Sequence, residues 1–278
     1  MPSNLHVVFF ADMNYVRHLA VAGTSVIESC RTGAVTIHVV AIGIGASERA
    51  MLSASWVGET VDVRFHDWDP GQFEGWQTGE YFTTSVYARL FLPELVGVTG
   101  RLVSLDCDMV ILRDLAPLLR TDLAGSPVAA VREPYTPTVS WRRGLSNWAR
   151  EGIAPETPYF NSGLMLIDTK RWRELRVTES ALAYGRRYLS TMVGRDEECL
   201  NAALRGDWAE LDQEWNAGPY WRLAHRRTGA YADILDRRRI VHYQGIDKPW
   251  LTWNPDDRGD ARLYYEYLDR TAWKGWRP

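Results

Sequence analysis

Short apolar runs alternate, along the first part of the chain, with segments whose apolar residues recur every three or four positions. His6 to Ala11 is the first run and predicts a buried strand ending at Asp12-Met13-Asn14-Tyr15. Val16, Leu19, Ala20, Gly23, Val26, Ile27 and Cys30 then share one helical face. Val35 to Ile42 predicts a second strand, Ser47 to Trp56 a helix, and Val61 to Phe65 a third strand. This alternation implies an α/β protein with a Rossmann-like, mainly parallel sheet flanked by helices. Residues 67–82 are irregular and rich in glycine and aromatics, which predicts a surface loop. Residues 84–95 read as one helix with Arg89 among inward-facing apolar residues. A buried arginine is costly unless paired, so Arg89 requires an anionic partner.

The stretch from Arg101 to Leu112 is too apolar for an exposed edge, yet it carries Asp106 and Asp108. It predicts a buried strand broken at the carboxylate pair. Alternate side chains of an extended chain share a face, so Asp106 and Asp108 point one way and Cys107 the other. Downstream, the pattern predicts a short helix at 115–119, a strand at 127–133, and a long proline-punctuated loop at 134–158. A strand at 159–168 follows, then helix through 170–191 and a helix beginning near Arg195. A strand at 208–215, a strand-to-loop passage at 240–250 and a helix at 261–271 complete the chain.

Composition narrows the function. A net charge of −3 over 278 residues gives no general nucleic-acid footprint. Cys30, Cys107 and Cys199 are odd in number and far apart, which argues against a disulfide framework and for a reducing interior. The start of the chain lacks a secretory pattern, and no run has the length of a membrane span. A soluble, cytoplasmic protein is expected, with at most peripheral membrane contact through Trp273, Lys274, Trp276 and Arg277. No G-x-G-x-x-G follows the first strand, which disfavours dinucleotide binding.

Several polar positions carry candidate chemistry. Adjacent carboxylates repel, and a divalent cation at Asp106 and Asp108 is the usual remedy; a solvated turn is the ordinary alternative. Asp12 and Asn14 suit a turn or cap equally well. Asp196, Glu197 and Glu198 suit a helix N-terminus. A lone histidine such as His242 is more often packed than a ligand.

Taken in order, these segments resemble glycosyltransferase family 8, the retaining sugar transferases that include glycogenin and bacterial lipooligosaccharide galactosyltransferases. The resemblance rests on Ala11-Asp12-Met13-Asn14-Tyr15, Tyr87-Ala88-Arg89-Leu90 and Leu105-Asp106-Cys107-Asp108. It continues through Tyr159-Phe160-Asn161-Ser162-Gly163, and through His242-Tyr243-Gln244-Gly245 with Lys248-Pro249-Trp250. It implies a single GT-A domain over 1–278, with a nucleotide-sugar-binding half to about residue 115 and an acceptor-binding half beyond. It also implies a UDP-sugar donor, a glycan or small-molecule acceptor, and Mn²⁺ or Mg²⁺ as cofactor.

Carried over by residue, Asp106, Asp108 and His242 would bind the metal. Asp12 and Asn14 would contact uridine, and Gly245 and Lys248 the diphosphate. Arg89, Asp106 and Glu133 would help bind the donor, and Asn161, Asp196 and Glu197 would stand at the reacting centre. Glu197 departs from the family pattern, which has glutamine there. The departure leaves a catalytically weak nucleotide-sugar-binding protein as the alternative function.

Overall fold

The structure is a computed structural model that describes residues 4–31, 33–76, 84–219, 230–245, 248–251 and 259–278. Its centre is a seven-stranded sheet in the order β3-β2-β1-β4-β7-β6-β8. The strands are β1 (Leu5–Asp12), β2 (Val35–Ile42), β3 (Val61–Asp67), β4 (Arg101–Leu105), β6 (Val128–Arg132), β7 (Phe160–Asp168) and β8 (Ala209–Leu211). Within this sheet only the two pairings made by β7 are antiparallel, so the expected mainly parallel α/β arrangement is what the chain adopts.

Helices cover both faces because the strands are apolar on both. Val7, Phe9, Val39, Val103 and Leu166 face α1 (Val16–Ser29) and α2 (Ala46–Ser55). Val8, Val40, Leu102, Met165 and Ile167 face α3 (Leu92–Val96), α4 (Thr169–Glu174), α5 (Val177–Arg187) and α6 (Arg195–Leu204). Two further helices follow, α7 (Ala230–Arg237) and α8 (Asp260–Leu268). Among the described residues, no helix is long and apolar enough to cross a membrane. Near the C-terminus, Trp273 and Trp276 pack against the core, Arg17 lies 4.7 Å from the Trp276 ring, and Arg277 pairs with Asp269 at 2.7 Å.

Three elements differ from expectation, each for a local reason. Residues 84–91 form a 3₁₀ helix and α3 restarts beyond it, because Pro93 lacks an N–H and suits only a first turn. The 170–191 helix breaks at Arg176, whose φ of 52° is left-handed. The 208–215 strand is only β8, because Asp212 accepts from Glu214 N at 3.0 Å and turns the chain into a 3₁₀ turn, Gln213–Asn216. The 101–112 strand breaks at the carboxylate pair as expected, and its two parts go to different sheets. β4 stays in the main sheet, whereas β5 (Met109–Ile111) pairs with β9 (Ile240–His242) in a separate two-stranded sheet.

That last break positions the site. Asp106 to Asp108 span the crossing between sheets, and the β5–β9 register sets His242 opposite Met109. Asp12, Asp106 and Glu133 stand at or just beyond the carboxyl ends of the mutually parallel strands β1, β4 and β6. Asn161 lies at the amino end of antiparallel β7, hence on the same sheet edge. A register irregularity between β6 and β7 takes Ser162 to Leu164 out of the β6 ladder at this place.

A histidine row crosses β1, β2 and β3. His6 Nδ1 lies 3.1 Å from His38 Nε2, and His38 Nδ1 lies 3.0 Å from His66 Nε2. Burial lowers all three pKa values, with Arg64 adding to the effect, and His38 falls to about 4. Unfolded histidines titrate near 6.5, so below that pH the unfolded chain takes up protons that the folded row refuses. Stability should therefore fall from pH 7 to pH 5. In His38→Gln, which retains a donor and an acceptor but cannot titrate, the urea midpoint should fall less over that window. An identical fall in both proteins would remove the row as a cause.

Candidate active site

Asp106, Asp108 and His242 form the centre. Asp106 N donates to Gly163 O at 2.9 Å and Tyr243 N donates to Asp108 O at 2.8 Å, so the backbone of both aspartates is fixed. Cys107 turns the opposite way, and its buried Sγ donates to Phe10 O at 3.0 Å. One ligand atom from each of Asp106, Asp108 and His242 lies within 4.8 Å of the others. His242 Nε2 is 3.1 Å from Asp108 Oδ1 and 3.7 Å from Asp106 Oδ2.

The other ring nitrogen, Nδ1, lies 2.8 Å from Asn216 Oδ1. An amide oxygen only accepts, so the network assigns a proton to Nδ1 and turns Nε2 to the carboxylates, where it can donate to Asp108 or, once deprotonated, offer a lone pair to a cation. Two carboxylates and an imidazole nitrogen converging in this way suit a divalent cation.

Two buried cations hold these acids. Arg89 is 7% exposed; it pairs with Asp106 and Asp196 and donates to Ser162 Oγ at 3.0 Å. Its predicted need for an anionic partner is thus met twice. Burial opposes the guanidinium charge, but Asp106 and Asp196 outweigh it and raise the pKa. Lys248 is 5% exposed, pairs with Asp108, and donates to Tyr243 O at 3.0 Å. Burial pushes the Asp108 carboxyl up, but Lys248 and His242 reverse this and hold it well below the usual carboxylate range.

A second group of acids converges on Asn161. Its Nδ2 donates to Glu133 Oε2 at 3.0 Å and to Glu197 Oε2 at 3.3 Å, while its Oδ1 accepts from Gly163 N at 3.0 Å. Glu197 also accepts from Ser162 N at 3.0 Å, and Glu133 from Tyr135 N at 3.0 Å and Gln244 Nε2 at 3.2 Å. Burial raises the pKa of both glutamates, and the Glu133 charge raises Glu197 further. Asp196 is raised by burial against the pull of Arg89.

The sequence profile described as Glycosyl transferase family 8 matches residues 6–254. The chain belongs to glycosyl transferase family 8. It is 28% identical to general stress protein A of Bacillus subtilis (strain 168), over 97% of this chain and 94% of that protein. It is 24% identical to lipopolysaccharide 1,2-glucosyltransferase of Escherichia coli (strain K12), over 97% of this chain and 79% of that one. The fold is shared with galactosyltransferase LgtC, solved in complex with donor and acceptor sugar analogs. That likeness has a TM-score of 0.81 and 27% identity, covering 99% of this chain and 98% of LgtC. The GT-A architecture and glycosyltransferase activity expected from the motifs follow from this membership.

Within this family 8 chain, the remaining motif residues lie around the centre in different ways. Asp12 closes a local turn by accepting from Asn14 N at 2.9 Å, and Asn14 is exposed. Gly245 is exposed with a left-handed φ of 80°. Residues 246–247 of the late motif, and 77–82 of the aromatic loop, lie outside the described residues.

Of the three acids opening α6, Glu198 faces away from the centre. Fully buried, it accepts from Tyr184 OH at 2.7 Å, Val193 N at 2.8 Å, Gly194 N at 2.7 Å and Ser146 N at 2.9 Å. It fastens two loops behind the residues that line the site. Sequence reasoning assigned no site role to Asn216, Ser162 or Gly163. The Asn-Ser-Gly run marked the latter two, but nothing in the sequence distinguishes Asn216 from an ordinary turn residue.

Gly163 is required by space. A Cβ there would lie 2.6 Å from His242 Cε1, 2.9 Å from Asn161 Oδ1 and 3.0 Å from Asp106 Oδ2. Gly163→Ala should therefore displace the ligand atoms while leaving the distant core intact. Mn²⁺ affinity measured by calorimetry should drop about tenfold or more, on the scale of disturbed metal-site support, with near-UV circular dichroism preserved. Unchanged affinity would show that this contact does not set the geometry.

Proposed function

We propose that the chain is a retaining glycosyltransferase that moves a hexose, galactose or glucose, from a UDP-sugar to a glycan, lipooligosaccharide or small-molecule acceptor. The reading rests on one observation above all: Asp106, Asp108 and His242 Nε2 converge at a sheet edge beside a buried lysine. Family membership and the donor and acceptor analogs of LgtC support it. Mn²⁺ is the preferred ion, Mg²⁺ the substitute. When bound, it supplies positive charge to the diphosphate as the sugar–phosphate bond breaks. The donor half is taken to end near residue 115, with the acceptor half beyond it in a cytoplasmic enzyme.

The protein's own groups supply the other roles. Lys248 transfers its charge from Asp108 to the departing diphosphate, and the Gly245 backbone allows close approach. Asp12 and Asn14 contact uridine. Arg89 keeps Asp106 and Asp196 in place and, with Glu133, bounds the donor sugar. Asn161, Asp196 and Glu197 stabilise positive character at the sugar during transfer. A screen of UDP-sugars for Mn²⁺-dependent UDP release tests the reading. Release from none of them, despite UDP binding, would favour a catalytically weak nucleotide-sugar-binding protein, the alternative that the extra carboxylate of Glu197 motivates.

Lys248→Met preserves the stem and removes the charge, so kcat should fall with the donor sugar and metal held constant. Losing one preorganised group that stabilises developing charge typically slows turnover about 10²-fold or more, and a drop of that size is expected here. Parent-like kcat in a folded variant would remove Lys248 from the diphosphate role.

Glu197 yields a prediction about pH. Its raised pKa delays ionisation, so if the carboxylate stabilises the cationic sugar, parental kcat should rise with pH as Glu197 ionises. Glu197→Gln should retain measurable transfer, lack that rise and shift donor preference, with no covalent sugar adduct on Glu197 in the parent by mass spectrometry. A kinetically competent ester on Glu197 would make it the nucleophile instead. Matching pH profiles and donor choice in the two proteins would place it outside the sugar site.

A further inference from the structure

We propose that Asn216 is a positioning residue that locks the tautomer of His242 and links the cation site to the carboxyls at the sugar end. The proposal rests on the reading of Asp106, Asp108 and His242 as cation ligands. Asn216 is fully buried at the end of the 213–216 turn. Ala217 bridges Val241, and His242 N donates to Ala217 O at 2.9 Å, so the backbone holds Asn216 and His242 side by side. The approach is so close that a Cβ on Gly218 would lie 1.9 Å from His242 O.

The side-chain bonds run in one direction. His242 Nδ1 faces Asn216 Oδ1 at 2.8 Å, Asn216 Nδ2 donates to Asn161 Oδ1 at 2.8 Å, and Asn161 Nδ2 donates to Glu133 and Glu197. An amide has one acceptor end and one donor end, so each orientation dictates the next. Turning Asn161 over would set its oxygen against both glutamates and its NH₂ against the Gly163 N–H, which now donates to it at 3.0 Å. Asn161 is therefore fixed, and its oxygen demands the NH₂ of Asn216. That leaves only the Asn216 oxygen for His242, which keeps a proton on Nδ1 and makes Nε2, 3.1 Å from Asp108 Oδ1, the nitrogen offered to a cation. Partners of this kind commonly set metal affinity by about 10–100-fold.

Three variants separate the two halves of this claim. Asn216→Leu removes both bonds. Asn216→Asp keeps an oxygen for His242 Nδ1 but cannot donate to Asn161. Asn216→Ser, a milder truncation, serves the same purpose as Asn216→Leu if the latter does not fold. Long-range ¹⁵N–¹H NMR reads the His242 tautomer in the metal-free chain, with His242→Ala giving the assignment. Electron paramagnetic resonance reads Mn²⁺ affinity in the presence of UDP.

The parent should show Nδ1–H. Asn216→Leu or Asn216→Ser should lose that tautomer and bind Mn²⁺ about 10–100-fold more weakly. Asn216→Asp should keep both the tautomer and the Mn²⁺ affinity, yet lose kcat because a carboxylate oxygen then faces Asn161 Oδ1 and pushes that side chain from its place. Parental tautomer and affinity in the truncated variants would overturn the role of Asn216 while leaving the cation reading intact. A parent with Nδ1–H that binds no Mn²⁺ would overturn the cation reading, and with it the purpose assigned to the lock.

Discussion

Repulsion among carboxyl groups is the constraint around which this sheet edge is built. Asp106, Asp108, Asp196, Glu133 and Glu197 gather there, while Arg89 and Lys248 are the cations that pair with them among the described residues. An uncompensated charge in a buried pair costs about 3–5 kcal/mol. Arg89 therefore cannot be read as a donor contact alone, since without it Asp106 and Asp196 would lose their shared counter-charge. The remaining imbalance is met in two ways. Glu133 and Glu197 have raised pKa values, which reduces the charge around Asn161. Asp106 and Asp108 instead present oxygens, beside a histidine ring nitrogen, to a position suited to a cation.

The fold delivers these groups through simple topology. Parallel strands end at one edge, and antiparallel β7 begins there, so residues far apart in sequence meet without a long ordered loop. The change of sheet between β4 and β5 then lifts Asp106 and Asp108 out of the ladder and brings β9, with His242, alongside. Lys248 neutralises Asp108 in this state. Its transfer to an incoming diphosphate would couple donor arrival to release of an Asp108 oxygen.

Much of this was legible in the sequence because it follows from periodicity. Alternation alone put Asp106 and Asp108 on one side and Cys107 on the other, and an arginine in an apolar helix demanded an anionic partner, which Asp106 and Asp196 supply. The elements that were misjudged depend on single residues whose effect periodicity does not report. Pro93 changes the helix type, Arg176 breaks a long helix, and Asp212 ends a strand. The acid run at 196–198 could not be resolved by pattern either, since only the packing of α6 separates Asp196 and Glu197 from the latch Glu198. Asn216 was illegible because its importance lies in the two side chains it touches, 55 and 26 positions away.

On this reading the convergence of two carboxylates and a histidine is a cation site shared with a nucleotide diphosphate. A crystal structure with Mn²⁺ and UDP, collected at the manganese absorption edge, puts that to the test. We expect one anomalous peak bonded to Asp106, Asp108, His242 Nε2 and diphosphate oxygens, with Lys248 Nζ moved from Asp108 to the diphosphate. UDP bound with no peak there, or a peak held by other side chains while His242 keeps its place beside Asp108, would contradict it.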